Sequence, residues 1–294
     1  MRIAIASGKG GAGKTTLTAS LHRVWPRPHA LADTDVEAPN LHLFLHPVME
    51  RAVEVGLAVP KAVRASCTVC GKCRDICRFG AIARFGQKIA LFPDMCHGCG
   101  GCFTVCPEGA LEEGRRELGS VTLGCLDDGT RYISGATRIG EVMTPPVLRR
   151  LLAELDLATA GSAADVLLDS PPGVSCPAVT VARRVDAVLL VADPTPFGFA
   201  DFRIAWEAFS SLRLPLACVI NRAGMPGNEG GEAAVTAFCR EHGLPLAGTV
   251  PFSREAARVT AQGGLPADIS PDWRERFARM AGDILRIFKE GSHA

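Results

Sequence analysis

Between a short apolar run, Ile3 to Ala6, and a stretch with helical character lies Ser7-Gly8-Lys9-Gly10-Gly11-Ala12-Gly13-Lys14-Thr15-Thr16. Four glycines at that place leave the chain few options: the order strand, glycine loop, helix is the context a phosphate-binding loop requires. Gly8, Gly13, Lys14 and Thr15 keep the spacing G-x-x-x-x-G-K-[ST], in which small residues let backbone N–H groups curl around phosphate oxygens at the positive end of a helix. Lys14 is placed to reach the β and γ phosphates, and the Thr15 hydroxyl to ligate Mg²⁺; Gly10, Gly11 and Thr16 complete the expected nucleotide-binding set. Lys9 is a second lysine inside the loop, poorly placed to serve the same phosphates from its own subunit.

Further along, short apolar runs end in polar residues. Ala30 to Ala32 leads into Asp33-Thr34-Asp35, and Asp165 to Asp169 is an apolar strand closed by carboxylates. Carboxylates at the C-terminal ends of parallel strands sit beside the ligand crevice of an open α/β sheet, so Asp169 is expected to hold Mg²⁺ through water. Asp33 reads equally well as a turn or helix cap. Leu216 to Ile220 ends at Asn221, whose amide carries both a donor and an acceptor, and Leu246 to Val250 ends at Pro251.

The cysteines follow a second logic. Cys67-x₂-Cys70-x₂-Cys73-x₃-Cys77 is followed by Cys96-x₂-Cys99-x₂-Cys102-x₃-Cys106-Pro107, the spacing of a bacterial two-cluster ferredoxin. In that pattern three sulfurs of each run wrap one cubane and the fourth reaches across to the other. Cys67, Cys70, Cys73 and Cys106 are therefore assigned to one [4Fe–4S] centre, and Cys96, Cys99, Cys102 and Cys77 to a second. Zinc is the competing reading, since C-x₂-C pairs also build tetrahedral sites. The first run ends Cys77-Arg78 where the second ends Cys106-Pro107, which puts a positive charge near a cluster without removing a ligand. His97 reads as a loop residue with no ligand role; Cys125, Cys218 and Cys239 read as core or near-surface thiols, and Cys176 as a buried structural thiol.

The phrases KGGAGKTT, DVEAPNLHLFL (35–45) and CHGCGGC (96–102) together resemble the MinD/ParA/Mrp ATPases that carry an inserted ferredoxin domain. The likeness extends over nearly the whole chain and brings several expectations. Lys9 would cross a dimer interface to the partner's nucleotide, so ATP would close a homodimer, or a heterodimer with a related ATPase. Asp35 would position or activate the attacking water, Asp33 would lie near the Mg²⁺ shell, and Asn221 with the loop at Pro251 would hold adenine. Residues 170–176, SPPGVSC, would be a switch sensing the γ-phosphate at Gly173, and Cys176 matches half of a ligand pair that bridges a dimer in the nitrogenase iron protein.

These readings add up to an α/β, doubly wound, mainly parallel sheet at 1–55 and 115–294, with an inserted ferredoxin-like α+β domain at 56–114. A chain of 294 residues with 47% apolar content has enough material for one large core and a small one. A net charge of +1 points to neither nucleic acid nor an anionic membrane as partner. Twelve cysteines beside an ATP site favour metal ligation in a reducing compartment, hence a cytoplasmic location. The stripe Trp273, Phe277, Met280, Ile284, Ile287, Phe288 is expected to pack on the sheet as a helix over 272–288, not to bind a membrane. The function expected is an ATPase whose nucleotide state is coupled to assembly or delivery of a metal–sulfur cluster to a partner. The alternatives are ATP-gated electron donation to a redox partner and, less favoured, a MinD-like spatial switch.

Overall fold

The computed structural model describes residues 1–228 and 230–291. In chain order its elements are β1 (Arg2–Ala6), α1 (Lys14–His22), β2 (His29–Asp33), α2 (His42–Leu45), β3 (Val48–Val63), α3 (Lys72–Ile76), β4 (Ile82–Phe85) and β5 (Lys88–Leu91). Then come α4 (Gly101–Val105), β6 (Leu111–Cys125), β7 (Arg131–Thr137), α5 (Pro145–Thr159), β8 (Asp165–Asp169), α6 (Cys176–Ala182) and β9 (Ala187–Ala192). The chain closes with α7 (Pro196–Ser210), β10 (Leu216–Ala223), α8 (Gly231–Glu241), β11 (Leu246–Pro251), α9 (Arg254–Ala261) and α10 (Pro271–Gly291).

Two compact units emerge. The larger comprises Met1–Val53, Val121–Ala136 and Val147–Ala294; the smaller comprises Glu54–Ser120 and Thr137–Pro146. The main sheet has strand order β11-β10-β9-β1-β8-β2-β7-β6-β3, and every pairing from β11 to β7 is parallel. β8 and β9 are buried along their whole length, as strands covered on both faces must be, and they read as continuous apolar runs with no alternation. β1 lies between them, and β2 lies beside β8, which brings the glycine loop and the segments that follow β2 and β8 to one end of the sheet.

One core cluster joins Ile3, Ile5, Leu17, Leu21, Leu189 and Val219 with the buried stripe of α10, Phe277, Met280, Ala281, Ile284 and Phe288. α10 covers β10 and β11, the packing expected of that stripe. Among the described residues no helix is long and apolar enough to cross a membrane.

The smaller unit has its own core of Cys73, Ile82, Cys102 and Leu111 and a two-stranded antiparallel hairpin, β4 with β5. Its span differs from the 56–114 read from sequence, because it also takes in Thr137–Pro146. Arg116 explains why that segment is part of the unit. Its guanidinium is buried and pairs with Glu141 at 3.0 Å, while its other nitrogen donates to the carbonyls of Pro93, Asp94 and Cys96.

Candidate functional sites

At the glycine loop, Gly13 adopts φ +96° and starts α1, a conformation that side chains with a Cβ avoid. Space forbids a side chain as well: a Cβ at Gly13 would stand 2.2 Å from Asn221 Nδ2, and one at Gly8 would stand 2.0 Å from the Asp201 carbonyl oxygen. Three loop carbonyls are tied back by side chains. Ser7 Oγ donates to the Lys9 carbonyl (2.7 Å), Arg222 Nη2 to Gly11 (2.9 Å) and Asn221 Nδ2 to Ala12 (2.8 Å).

Lys14 is buried, with Nζ donating to Ser7 Oγ at 3.1 Å. Burial pushes its pKa down, against the attraction of Asp169 and Asp35. Thr15 Oγ1 donates to Asp169 Oδ2 at 2.5 Å, whereas Asp169 Oδ1 is buried without a hydrogen-bond partner. Desolvation raises the Asp169 pKa to about 7. A buried carboxylate with one orphaned oxygen beside a threonine hydroxyl is the donor set a hard divalent cation takes, so these residues fit Mg²⁺.

Asp33 is fully buried, and backbone N–H groups engage both of its oxygens. Oδ1 accepts from the Asp35 N–H, and Oδ2 from those of Asn40 and Leu41, at 2.9–3.2 Å. Sequence reading gives Asp33 either a place near the Mg²⁺ shell or a role in a turn, and these three bonds are those of the turn: Asp33 shapes the loop that carries Asp35. Thr34, which sequence reading passed over, fastens the same loop to β8 through its N–H and hydroxyl on the Asp169 carbonyl. Asp35 is half-buried, and desolvation raises its pKa while Lys14 pulls it down. In the segment after β8, Gly173 at φ +75° donates its N–H to the Ser7 carbonyl at 3.0 Å.

Beside the loop lies a cavity of about 350 Å³ lined by Gly13, Thr16, Asn221, Pro251, Phe252 and Phe277 among others. It unites Asn221 and Pro251, 30 positions apart in sequence, with the glycine loop. A larger cavity of about 710 Å³, between α7 and α8, has an aromatic lining of Phe199, Trp206, Phe238 and His242 and includes no loop residue. The smaller cavity includes Gly13 and Thr16 of the glycine loop.

Two residues near the loop were not anticipated. Asp193, at the end of β9, accepts from Lys9 Nζ and from Arg222 Nη1, each at 3.2 Å and both on Oδ2. Arg222 holds φ +58°, an uncommon conformation for a residue with a side chain. Neither residue has a motif of its own, and the only sequence signal was its place just after an apolar strand.

The smaller unit contains two cysteine-lined cavities. Cys67, Cys70, Cys73 and Cys106 line one; Cys77, Cys96, Cys99 and Cys102 line the other. Each set takes three thiols from one run and one from the other. Gly71 (φ +85°) and Gly100 (φ +74°) turn the chain into α3 and α4, which carry Cys73 and Cys102 to the interior. The N–H groups of Gly98 and Ala110 donate to Cys96 Sγ (3.4 Å) and Cys106 Sγ (3.2 Å), the kind of contact that stabilises a thiolate. Among the described residues no group of three or more His, Cys, Asp or Glu side chains stands in the geometry that holds a metal ion. Four cysteine thiols to a cavity is a donor set that a zinc ion or an iron–sulfur cluster can take. His97 lies in the second lining and stacks on Phe79 with ring centroids 3.8 Å apart.

Cys176 is not buried as expected. It is exposed at the first position of α6, because the residues around it at the end of the switch segment face solvent. Cys218 and Cys239 are buried core thiols, and Cys125 is half-buried beside Glu50.

Residues 3–266 match the family model of the CobQ/CobB/MinD/ParA nucleotide-binding domain. The uncharacterized protein MJ0578 of Methanocaldococcus jannaschii is 31% identical over 229 residues, 76% of this chain and 79% of that protein. An iron-sulfur cluster carrier protein of Aquifex aeolicus is 26% identical over 129 residues, 40% of this chain and 35% of that one. Among solved structures, the septum site-determining protein MinD of Pyrococcus horikoshii, complexed with Mg-ADP, superposes with a TM-score of 0.56 at 16% identity, covering 99% of this chain and 98% of that one.

Proposed function

The chain belongs to the CobQ/CobB/MinD/ParA nucleotide-binding family, and from that premise we propose that it is an ATP-dependent iron–sulfur protein whose nucleotide state governs delivery of a metal–sulfur cluster to a partner. The observation that carries this reading is the closure of eight cysteines on two cavities in crossed sets, in the same chain as the glycine loop. Two further findings support it: the likeness to a cluster carrier over 129 residues, and the exposure of Cys176, which leaves a thiol accessible beyond the switch segment.

At the nucleotide site Lys14 would neutralise the β and γ phosphates, and Thr15 with Asp169 would hold Mg²⁺, which supplies further charge neutralisation when bound. Asn221 and the loop at Pro251 would bind the adenine. Asp35, on the loop that Asp33 and Thr34 fix, would orient the attacking water, while Gly173 reports the γ-phosphate to the second switch. Most of the rate gain in such a site comes from positioning and charge, so Lys9 from a partner protomer would complete it. ADP release would reopen the dimer. The smaller unit would hold two [4Fe–4S] centres, on Cys67, Cys70, Cys73 and Cys106 and on Cys77, Cys96, Cys99 and Cys102, and the centres supply a transferable or redox-active group.

A second reading, electron donation, is favoured by one observation: Cys70 and Cys99 are exposed, which places one edge of each site near solvent. The two readings separate in one experiment. The reconstituted protein is mixed with a candidate acceptor and ATP, and cluster absorbance and iron content of both proteins are followed. Loss of iron to the acceptor supports delivery; bleaching and recovery with iron retained supports electron transfer. Indifference of both signals to ATP and ADP would overturn the coupling.

A further inference from the structure

The second lysine of the glycine loop is already engaged within its own protomer. Lys9 Nζ stands 3.2 Å from Asp193 Oδ2, and the Asp193 side chain is 4% exposed against 30% for that of Lys9. The remaining bonds of Asp193 matter as much as this one. Oδ1 accepts from the Thr195 N–H at 3.1 Å, at the mouth of α7, and Oδ2 accepts also from Arg222 Nη1 at 3.2 Å. Arg222 in turn is fixed by its Nη2 on the Gly11 carbonyl. If Lys9 leaves, the buried carboxylate keeps one cation and one N–H donor, so it is never left unpaired. Burying an unpaired charge is what makes most such contacts costly to break, and here that cost is absent. Lys9 is thus the exchangeable member of a three-charge cluster, and Arg222 the permanent one.

We propose that Asp193 is a retention site for Lys9, holding the lysine back in the free protomer and yielding it when nucleotide-bound protomers meet. The proposal rests on the ATP-closed dimer read above and names what restrains it. A lysine paired in cis cannot serve a partner's phosphate, so each closure must break two such pairs, one per protomer. The partner's phosphate charge must therefore outcompete Asp193 as the protomers meet, which suppresses closure in the absence of triphosphate.

The test uses the full chain and two readouts. The first is the rate at which an amine-reactive acylating reagent modifies Lys9 in the nucleotide-free protein, read by mass spectrometry against Lys61 and Lys88. Asp193→Asn retains an acceptor for the Thr195 N–H but loses the charge, and Lys9 should label severalfold faster in it. The second is the ATP concentration at half-maximal dimerisation, by light scattering. Asp193→Asn should need roughly fivefold less ATP than the parent, within the usual range of coupling between sites. The gain should vanish in Lys9→Ala/Asp193→Asn compared with Lys9→Ala, because the effect acts through Lys9. Should Asp193→Asn fail to fold, Arg222→Gln leaves Lys9 as the only cation on Asp193, and Lys9 labelling should slow. Equal Lys9 labelling in parent and variant overturns the proposal. So does a parent that dimerises with ATP no less readily than Asp193→Asn. A parent that never dimerises with ATP would sink the dimer reading itself, and the latch with it.

Discussion

Thr15 and Asp169 share a hydrogen bond of 2.5 Å that leaves the second oxygen of Asp169 buried and unpartnered. A buried carboxylate satisfied on one oxygen only is an unfavourable place for a charge. Asp169→Asn is expected to raise the thermal stability of the nucleotide-free protein, by about 1–3 kcal/mol for a buried polar group relieved of its charge. The same variant should lose Mg²⁺-dependent nucleotide affinity. Calorimetric melts with and without Mg-ADP check both directions, and a destabilised variant would count against the assignment.

Gly13→Ala meets two obstacles at once, a φ of +96° and a Cβ 2.2 Å from the Asn221 amide. It should cost about 1–3 kcal/mol of stability from backbone strain and push Asn221 off the Ala12 carbonyl. Nucleotide affinity should fall more than the melting temperature alone explains. Gly10, which has open space around it, tolerates alanine on steric grounds, so Gly10→Ala serves as the control.

His22 and His29 face each other at 2.9 Å between ring nitrogens, and burial lowers the pKa of both, that of His22 to about 4. A histidine whose folded pKa lies below its unfolded value contributes stability above pH 6.5 that is lost as pH falls toward 4. Between pH 7.5 and 5 the protein should lose up to about 2 kcal/mol through His22, readable as a lower urea midpoint. His22→Gln should flatten that dependence; an unchanged slope would contradict the assignment.

Arg116 and Glu141 form a buried pair, with side chains 6% and 4% exposed. Truncating one partner of such a pair leaves the other charged and unpaired, at about 3–5 kcal/mol. Arg116→Ala should therefore lower stability by about that amount and loosen the chain around Cys96, whose carbonyl it holds. Iron retention under dialysis would show whether the second cavity suffers first, as expected.

The crossed cysteine sets make a distinguishable prediction. Cys77→Ser should damage the centre formed mainly by Cys96, Cys99 and Cys102, and Cys106→Ser the one formed by Cys67, Cys70 and Cys73. Electron paramagnetic resonance of each reduced variant, with iron counts, tells the two apart. If each serine variant lost the centre of its own run, the assignment would be reversed.

Much of this was legible in the sequence, for a physical reason. A glycine loop and a run of cysteines are built from neighbours along the chain, so their spacing can be read directly. What escaped notice depends on distant partners. Arg116 meets Glu141, and Asp193 meets Lys9, only because the fold brings them together. β3 and β6 were also missed or shortened: β3 is mostly exposed along its first half, and β6 begins with Glu112, Glu113, Arg115, Arg116 and Glu117, so neither shows a clean apolar alternation. Cys176 was misplaced because thiols usually seek the interior, while the switch loop before it keeps that position open to solvent.

Arg222 and Asn221, adjacent at the end of β10, each hold a glycine-loop carbonyl, and Ser7 holds a third. The loop is thus moulded by the folded chain and not by the phosphates that enter it. The conformational entropy of those glycines is spent during folding, so phosphate capture should carry little ordering cost and a small heat-capacity change. A bare triphosphate would then find the cradle ready but have no base for the neighbouring cavity, so the enthalpy separating it from ATP measures what that cavity contributes.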